Sequence, residues 1–228
     1  FPDALMTLAR LLSTLHNDDG SVAIAGLVDE DLPGAIDYPE AQLRDEAVPV
    51  DGLSQIGNGS IVSRLWSRPA VSVLALDAPP VAEAINQLVP VARAKVSMRI
   101  PPGQDAHDAL DKLKAHLEAN VPWGAEISFG HEDVGEATTL AMDNYAVRAW
   151  REAFREGFGT DAVDIGAGGS IPFIATFKEL YPGAPILVTG CGDPKSSIHA
   201  PNESQHVGAM EMATLSEAIA FRLLSSSA

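Results

Sequence analysis

The chain has 228 residues, 46% of them hydrophobic, so it can bury one large core or two small ones. Its 31 acidic and 15 basic side chains give a formal net charge of −16. That charge argues against nucleic acid and anionic membranes as partners, because both bind basic surfaces. A single cysteine excludes an internal disulfide framework and favours a reducing, cytoplasmic compartment. No apolar run approaches the roughly 18 residues that a membrane-spanning helix needs.

Residues 1–135 are predicted to form a small α+β domain with an antiparallel sheet. Leucines recur at helical spacing near the start of the chain, and a second amphipathic helix follows the capping residue Asp105. The predicted elements are helices at 2–16 and 105–119, strands at 68–75, 91–100 and 125–129, and a strand or extended connection at 21–28. From about 29 to 60 the composition turns acidic and proline-rich. This stretch is predicted to be a surface excursion with one short helix at 39–46.

Residues 136–228 are predicted to form a separate α/β layer. A helix at 143–157 is followed by a short strand beginning at Asp164, a glycine turn and a helix at 171–180. A buried strand at 185–189, a loop containing His199 and a closing helix at 208–224 complete the order. Open α/β sheets usually bind ligands in the loops that follow their strands. The His199 loop is therefore a candidate ligand site.

The glycine turn offers a second candidate site. Gly168 and Gly169 permit a tight turn, and Ser170 is a good helix N-cap. Such a turn points backbone N–H groups and the positive end of the helix dipole at one position, which suits a carboxylate or phosphate. From the residues alone, however, a purely structural turn is about equally expected, and a loop histidine is more often a surface hydrogen-bonding group than a metal ligand.

The two candidates together resemble the C-terminal signature of the M20 metallopeptidases. Gly168–Pro172 reads G-G-S-I-P, and 199–203 reads H-A-P-N-E. The pair is most similar to the dipeptidase and carnosinase-like branch. The resemblance implies that His199 binds one of two zinc ions and that Gly169 and Ser170 hold the substrate carboxylate. Many relatives carry Arg-Glu where this chain has Gly166-Ala167, so the charges of that pair are missing here.

The first domain resembles the lid, or dimerisation, domain that M20 enzymes insert into their catalytic domain. The run from Leu88 to Asp105, L-V-P-V-A-R-A-K-V-S-M-R-I-P-P-G-Q-D, is similar to the lid strand whose arginine reaches the substrate carboxylate, often in the partner subunit. The resemblance implies this role for Arg99 and a site-lining role for Asn86, with Gln87 less strongly indicated. It also implies a homodimer formed through the lid. Without the resemblance, Arg99 reads as an exposed strand residue.

The remaining histidines are interpreted as structural or exposed. His16 and His131 each begin an H-x-D string like the family's metal motif. Both strings occupy the wrong place in the chain order, so neither histidine is interpreted as a metal ligand. His107 and His116 lie on the predicted lid helix and are expected to face solvent. His206 is expected to start the last helix, and Cys191 to be a partly buried, unactivated thiol.

The resemblance implies a zinc-dependent dipeptidase or amidohydrolase that cleaves a peptide or N-acyl amide bond beside a free carboxylate. The substrate would be a dipeptide or an N-acyl amino acid, and two metal ions would activate the attacking water. In the family, the other metal ligands and the general-base Glu come from an N-terminal half, which would precede Phe1. We therefore expect the chain alone to be inactive. The alternative is a non-catalytic module that dimerises or binds an anion.

Overall fold

The computed structural model describes residues 1–32, 36–166 and 172–225. Seven α-helices and one two-stranded sheet lie in these ranges: α1 (Ala4–Ser13), α2 (Glu40–Ala47), α3 (Ile61–Trp66), β1 (Ala70–Asp77), β2 (Arg93–Arg99), α4 (Ala106–Asn120), α5 (Tyr145–Phe158), α6 (Pro172–Leu180) and α7 (Val207–Ser225). The chain divides into two compact units. One consists mainly of Phe1–Tyr38 and Gly52–Thr138, and the other mainly of Pro39–Asp51, Thr139–Gly166 and Phe173–Ala228.

The core of the first unit is made by α1, α4 and the hairpin. Asp3 and Asp105 are the N-cap residues of α1 and α4. The Asp3 carboxylate accepts the backbone N–H of Met6, and the Asp105 carboxylate accepts that of Asp108. Apolar residues then recur on the inner faces of both helices. The buried cluster is Leu11, Leu15, Ile24, Val71, Leu113 and Leu117. Burying each leucine contributes about 1.5–3 kcal/mol relative to an exposed position.

Strands β1 and β2 pair antiparallel, with Ala70 opposite Arg99 and Asp77 opposite Arg93. The register shifts between Val73 and Ala75, which marks a bulge. The loop from 78 to 92 therefore joins the two strands at the Asp77–Arg93 end of the hairpin, and Arg99 lies at the other end. This register fixes where the two predicted substrate-binding elements attach.

An ion-paired network holds the start of the acidic excursion against the segment before β1. The Arg68 side chain is 17% exposed and contacts Asp29 at 2.6 Å and Asp31 at 3.0 Å. Its hydrogen bond, followed by that of the Ser63 hydroxyl, holds the pKa of Asp31 below its ordinary value of 3.8. The same contacts raise the pKa of Arg68, so both groups remain charged at neutral pH. Helix α3, which carries Ser63, was missed by the sequence analysis.

Helices α5 and α7 pack closely in the second unit through small residues. Asn144 caps α5 by accepting from two backbone N–H groups, and Gly159 ends it in the left-handed region at φ 72°. Ala153, Ser216 and Ala220 have no exposed surface. Where α5 approaches α7, only a glycine fits: a Cβ on Gly157 would lie 2.1 Å from the Ser216 Oγ. The close contact therefore depends on the absence of side chains.

Three predicted strands are absent from the part of the chain that the structure describes. Residues 125–129, 164–166 and 185–189 form no strand. Val188, predicted to be buried, is 50% exposed, and Ile165 is 68% exposed. The physical reason is that a strand needs a neighbour for its N–H and C=O groups, and no described segment pairs with these three. The first of them is held instead at α4, where Lys114 pairs with Glu132 and lies over the Phe129 ring.

The architecture is a small α/β domain with a two-stranded antiparallel sheet and helices. The six predicted helices are confirmed to within a few residues, as are the two longest strands. The segment at 21–28 is extended with a single bridge between His16 and Val22, which agrees with the predicted extended connection. The predicted α/β layer is not formed by the described residues of the second unit. No described helix is long and apolar enough to cross a bilayer.

Candidate functional site

His199 lies at the tip of a folded loop in the second unit. The loop runs from Cys191 to Gln205, and the Gln205 Nε2 closes it by donating to the Cys191 carbonyl at 2.6 Å. The Ala200 N–H donates to the Ser197 carbonyl at 2.9 Å, which places His199 in the third position of a four-residue turn. Its side chain is exposed, and no described residue forms a hydrogen bond with the imidazole. Both ring nitrogens are accordingly open to a ligand.

The backbone of this loop is unusual. His199 has φ 64°, Ser197 has φ 53° and Asn202 has φ 63°. A positive φ is uncommon for residues that carry a Cβ, and residues held in such conformations concentrate at functional sites. Three of them within six residues distinguish this loop from every other described segment. The sequence signal for this geometry is weak, since only asparagine among the three favours it.

Arg99 ends β2 in the first unit, opposite Ala70. It is exposed, and its guanidinium forms no ion pair with any described residue. Arg93, at the other end of the same strand, is paired with Asp77 at 3.1 Å. The five N–H donors of Arg99 are therefore not engaged by a described acidic side chain, and its predicted contact with a substrate carboxylate stays a prediction.

Asn86 lies in the exposed loop from 78 to 92. The Gln87 N–H donates to the Ile85 carbonyl at 2.7 Å, so Asn86 is the central residue of a three-residue turn. The Ala4 N–H donates to the Val89 carbonyl at 3.1 Å and ties the loop to the start of α1. Several apolar side chains of the loop are exposed: Val81, Ile85, Leu88 and Val91. An exposed apolar loop of this kind is suited to contact a ligand or a second chain.

The structure does not bring Arg99 and the Asn86 loop to the same end of the hairpin. The loop joins β1 and β2 at Asp77 and Arg93, whereas Arg99 lies at the far end of β2. At about 3.3 Å per residue, roughly 20 Å of strand separates the two ends. Gly169 and Ser170 lie outside the described residues, so their predicted carboxylate-binding role stays a prediction. Helix α6, which follows them, carries the exposed Phe173 and Phe177, and Tyr181, just beyond its end, continues this exposed aromatic row.

The other histidines divide into two groups. His206 caps α7, because its Nδ1 accepts the Ala209 N–H at 3.0 Å, and His107 is exposed on α4; both predictions are confirmed. The prediction that His116 faces solvent is wrong. Its Nε2 lies 2.9 Å from the Thr14 carbonyl and 3.1 Å from the Thr14 hydroxyl, and it satisfies an end group of α1.

No group of three or more His, Cys, Asp or Glu side chains within the described ranges is arranged to hold a metal ion. The two H-x-D strings at His16 and His131 accordingly form no metal cluster there. Cys191 is half-buried and unpaired, as expected. His199 is suited to supply a single nitrogen ligand, so further ligands would have to come from elsewhere.

Ser196 and Gln205 were missed by the sequence analysis. Ser196 is 2% exposed, although its neighbours in the loop are exposed. Nothing in a Lys-Ser-Ser-Ile string indicates which serine turns inward. The only available signal was the spacing of Asp193 and Ser196, which is typical of a side chain bonding to a nearby backbone group.

The chain is similar to known peptidases over almost all of its length. The sequence model of the family described as "Peptidase dimerisation domain", M20_dimer, matches residues 2–125. A cysteinylglycine-S-conjugate dipeptidase of Corynebacterium striatum is 27% identical over 220 residues, which cover 95% of this chain and 48% of the relative. The chain thus spans about half the length of this curated relative.

Solved structures show the same fold. The dipeptidase Dug1p of Saccharomyces cerevisiae superposes with a TM-score of 0.82 at 18% identity, covering 99% of this chain and 49% of that one. Human carnosine dipeptidase 1 gives 0.80 at 19% identity, with coverages of 98% and 50%. An M20 metallo-carboxypeptidase of Sulfolobus solfataricus gives 0.74 at 22% identity, with coverages of 96% and 52%.

Proposed function

Since the chain belongs to the M20 peptidase dimerisation-domain family, we propose that it is the lid and C-terminal catalytic portion of a metal-dependent dipeptidase. The lid would comprise residues 1–135 and the catalytic portion residues 136–228. The similarity to a cysteinylglycine-S-conjugate dipeptidase over 95% of the chain supports this proposal, because it extends well beyond the dimerisation domain and includes the His199 loop. The complete enzyme would act in the cytoplasm on a dipeptide or an N-acyl amino acid.

The single observation that carries the proposal is the state of His199. The histidine lies at the tip of a closed loop, holds a positive φ and leaves both ring nitrogens without a described protein partner. An imidazole presented in this way is suited to bind a metal ion through one nitrogen. In the proposed enzyme, His199 is a ligand of one of two zinc ions. The remaining ligands and the general base come from another part of the polypeptide.

His199 would hold one metal ion of the pair, and the chemistry that the pair would supply is activation of a water molecule and polarisation of the scissile carbonyl. The residues of this chain bind and orient the substrate. Arg99 binds the free carboxylate through its two-pronged guanidinium, and the amides at Gly169 with the Ser170 hydroxyl hold the same group. Asn86 lines the site and donates or accepts one hydrogen bond. Together these contacts restrict the enzyme to amide bonds that lie next to a carboxylate.

The proposed enzyme is a homodimer formed through the lid. The hairpin register supports a dimer in which Arg99 and the Asn86 loop of one copy contribute to different active sites. Arg99 and the loop that carries Asn86 are attached at opposite ends of β2. A dimer can use both ends of the hairpin: one lid contributes Arg99 to one site, and the Asn86 loop contributes to another. Sedimentation of the complete polypeptide should therefore show a dimer. A stable monomer with full activity would contradict this arrangement.

The metal-binding role is tested with His199→Ala in the complete polypeptide that carries this sequence. We expect the variant to lose at least one equivalent of bound zinc, measured by elemental analysis after gel filtration, together with dipeptide hydrolysis. His107→Ala is the matched control, because His107 is exposed on α4 and is assigned no role. Unchanged zinc content and activity in His199→Ala would refute the proposal and favour a non-catalytic module.

The role of Arg99 is tested with Arg99→Met and two substrates that differ only at the C-terminus. For a free carboxylate, we expect kcat/KM to fall about 10–100-fold, the equivalent of losing charged hydrogen bonds worth roughly 1.5–3 kcal/mol. For the C-terminal amide, the variant and the parent should differ little. Arg93→Met, at the other end of the same strand, is the control. An equal loss on both substrates would show that Arg99 does not recognise the carboxylate.

A further inference from the structure

We propose that Ser196 and Gln205 are positioning residues that hold His199 in the orientation in which it binds metal. This inference rests on the proposed function, because it assumes that His199 is a metal ligand. It concerns how the loop from Cys191 to Gln205 is built, and it assigns roles to two side chains that do not themselves contact the metal.

Ser196 is the internal anchor of the loop. Its Oγ donates to the Asp193 carbonyl at 2.6 Å, and its backbone N–H donates to the same carbonyl at 3.1 Å. Its own carbonyl accepts the Ser204 N–H at 2.9 Å from the returning arm of the loop. The residue thus joins the outgoing arm to the returning arm. At 2% exposure, its hydroxyl has no access to solvent as a substitute partner.

Gln205 closes the loop at its base, where its Nε2 donates to the Cys191 carbonyl at 2.6 Å. Between the closure and the anchor, Gly192 lies against the tip: a Cβ at this position would be 3.3 Å from the Ile198 Cδ1 and 4.0 Å from the Ser196 Oγ. Loops of 6–16 residues whose ends meet and whose own side chains fill the interior are compact and often functional. The ends of this loop meet at the Gln205 bond, and Ser196 is its one buried side chain.

The tip needs such support because its backbone is strained. His199 occupies the third position of its turn at φ 64°, where glycine or asparagine is the usual residue. A histidine remains there only if the surrounding structure fixes it. With both ties intact, the backbone at His199 is held in one conformation before any ligand arrives. Without them, the tip samples several conformations, and binding has to bear the entropic cost of ordering it.

The test uses Ser196→Ala and Gln205→Glu in the complete polypeptide. Each substitution removes one donor and nearly preserves side-chain volume. The matched control is Ser204→Ala, which removes an exposed hydroxyl without a described partner from the same loop. Zinc affinity is measured by competition with a chromophoric chelator, and the visible absorption of the Co²⁺-loaded protein reports the ligand geometry. We expect both positioning variants to bind zinc about fivefold to tenfold more weakly, the equivalent of one lost hydrogen bond. The control should stay within twofold of the parent.

Two further measurements separate positioning from misfolding. Tryptic cleavage after Lys195, inside the loop, should accelerate in Ser196→Ala and Gln205→Glu, while circular dichroism and the unfolding temperature stay close to those of the control. The kinetic loss should appear in kcat rather than in KM. If both variants match Ser204→Ala in zinc affinity and Co²⁺ spectrum while His199→Ala still loses zinc, the positioning role is refuted and the proposed function stands. If His199→Ala retains its zinc, both proposals fail together.

Discussion

In the second unit, we expect one added methyl group to lower the free energy of unfolding most at Gly157. It lies on the face of α5 that meets α7. A Cβ built there would be 2.1 Å from the Ser216 Oγ and 3.0 Å from the Met212 carbonyl oxygen. Real Cβ atoms do not approach a neighbour as closely as 2.1 Å, so Gly157→Ala must push the two helices apart or displace the Ser216 side chain.

Two opposing effects decide whether Gly157→Ala raises or lowers the free energy of unfolding. Alanine is favoured over glycine in a helix interior by about 1 kcal/mol. Overpacking a close contact costs about 1–3 kcal/mol. Displacing the Ser216 hydroxyl also breaks its 2.8 Å hydrogen bond to the Met212 carbonyl, at about 1 kcal/mol, and the fully buried hydroxyl cannot exchange this bond for water. The steric effects win, and we expect the free energy of unfolding to fall by about 2 kcal/mol.

Urea unfolding followed by circular dichroism measures this loss, and amide hydrogen exchange in α5 and α7 localises it. Gly190→Ala is the matched control, since a Cβ there meets no atom within 4 Å and the residue has no positive φ. Its unfolding free energy should change by less than about 0.5 kcal/mol. Combining Gly157→Ala with Ser216→Gly removes the nearest obstructing atoms and should recover part of the loss. A Gly157→Ala protein as stable as the parent, or more stable, would refute the close packing.

Three further predictions concern the first unit. Leu15→Ala should lower its free energy of unfolding by about 2–5 kcal/mol, because the side chain is fully buried; a loss below about 1 kcal/mol in urea unfolding would contradict this core. His116→Ala should cost about 1 kcal/mol, since the end of α1 loses a partner, whereas His107→Ala should be nearly neutral. Equal effects of these two substitutions in thermal unfolding would contradict the contact. Because Arg68 lowers the pKa of Asp31, that pair stabilises the fold above pH 3.8 and loses this contribution as the pH falls through the lowered pKa. Arg68→Met should therefore be less stable at pH 7 and lose less on acidification, and parallel pH–stability curves for variant and parent would refute the linkage.

The helices were predictable because their signals are local. Asp3 and Asp105 each accept the N–H group that a capping residue should accept, and the leucines behind them keep helical spacing. Helix α3 was missed because it is only six residues long and follows a glycine-rich turn. The strand predictions at 125–129 and 185–189 failed for a different reason. An apolar run indicates that burial is favoured, but it carries no information on which backbone will supply the hydrogen bonds.

The motifs named residues of the candidate site, and the roles assigned to those residues stay predictions. The family resemblance identified His199 and Arg99, and the structure adds that neither side chain is occupied by a described protein partner. The inward turn of Ser196 and the bond from Gln205 depend on how the loop folds back on itself, and no short sequence pattern encodes this. Likewise, His116 was assigned to solvent because helical spacing alone does not reveal that the end of α1 lies against it.

The division of the chain has a consequence for synthesis on the ribosome. Residues Pro39–Asp51 group with a unit whose other members begin only at Thr139. At a synthesis rate of roughly 5–20 residues per second, about 4–20 s pass between the synthesis of this segment and that of the next part of its unit. Its composition suits the delay: α2 is strongly polar, buries no residue and carries an internal Arg44–Glu40 ion pair. A nascent chain can therefore leave α2 in water without exposing a large apolar face.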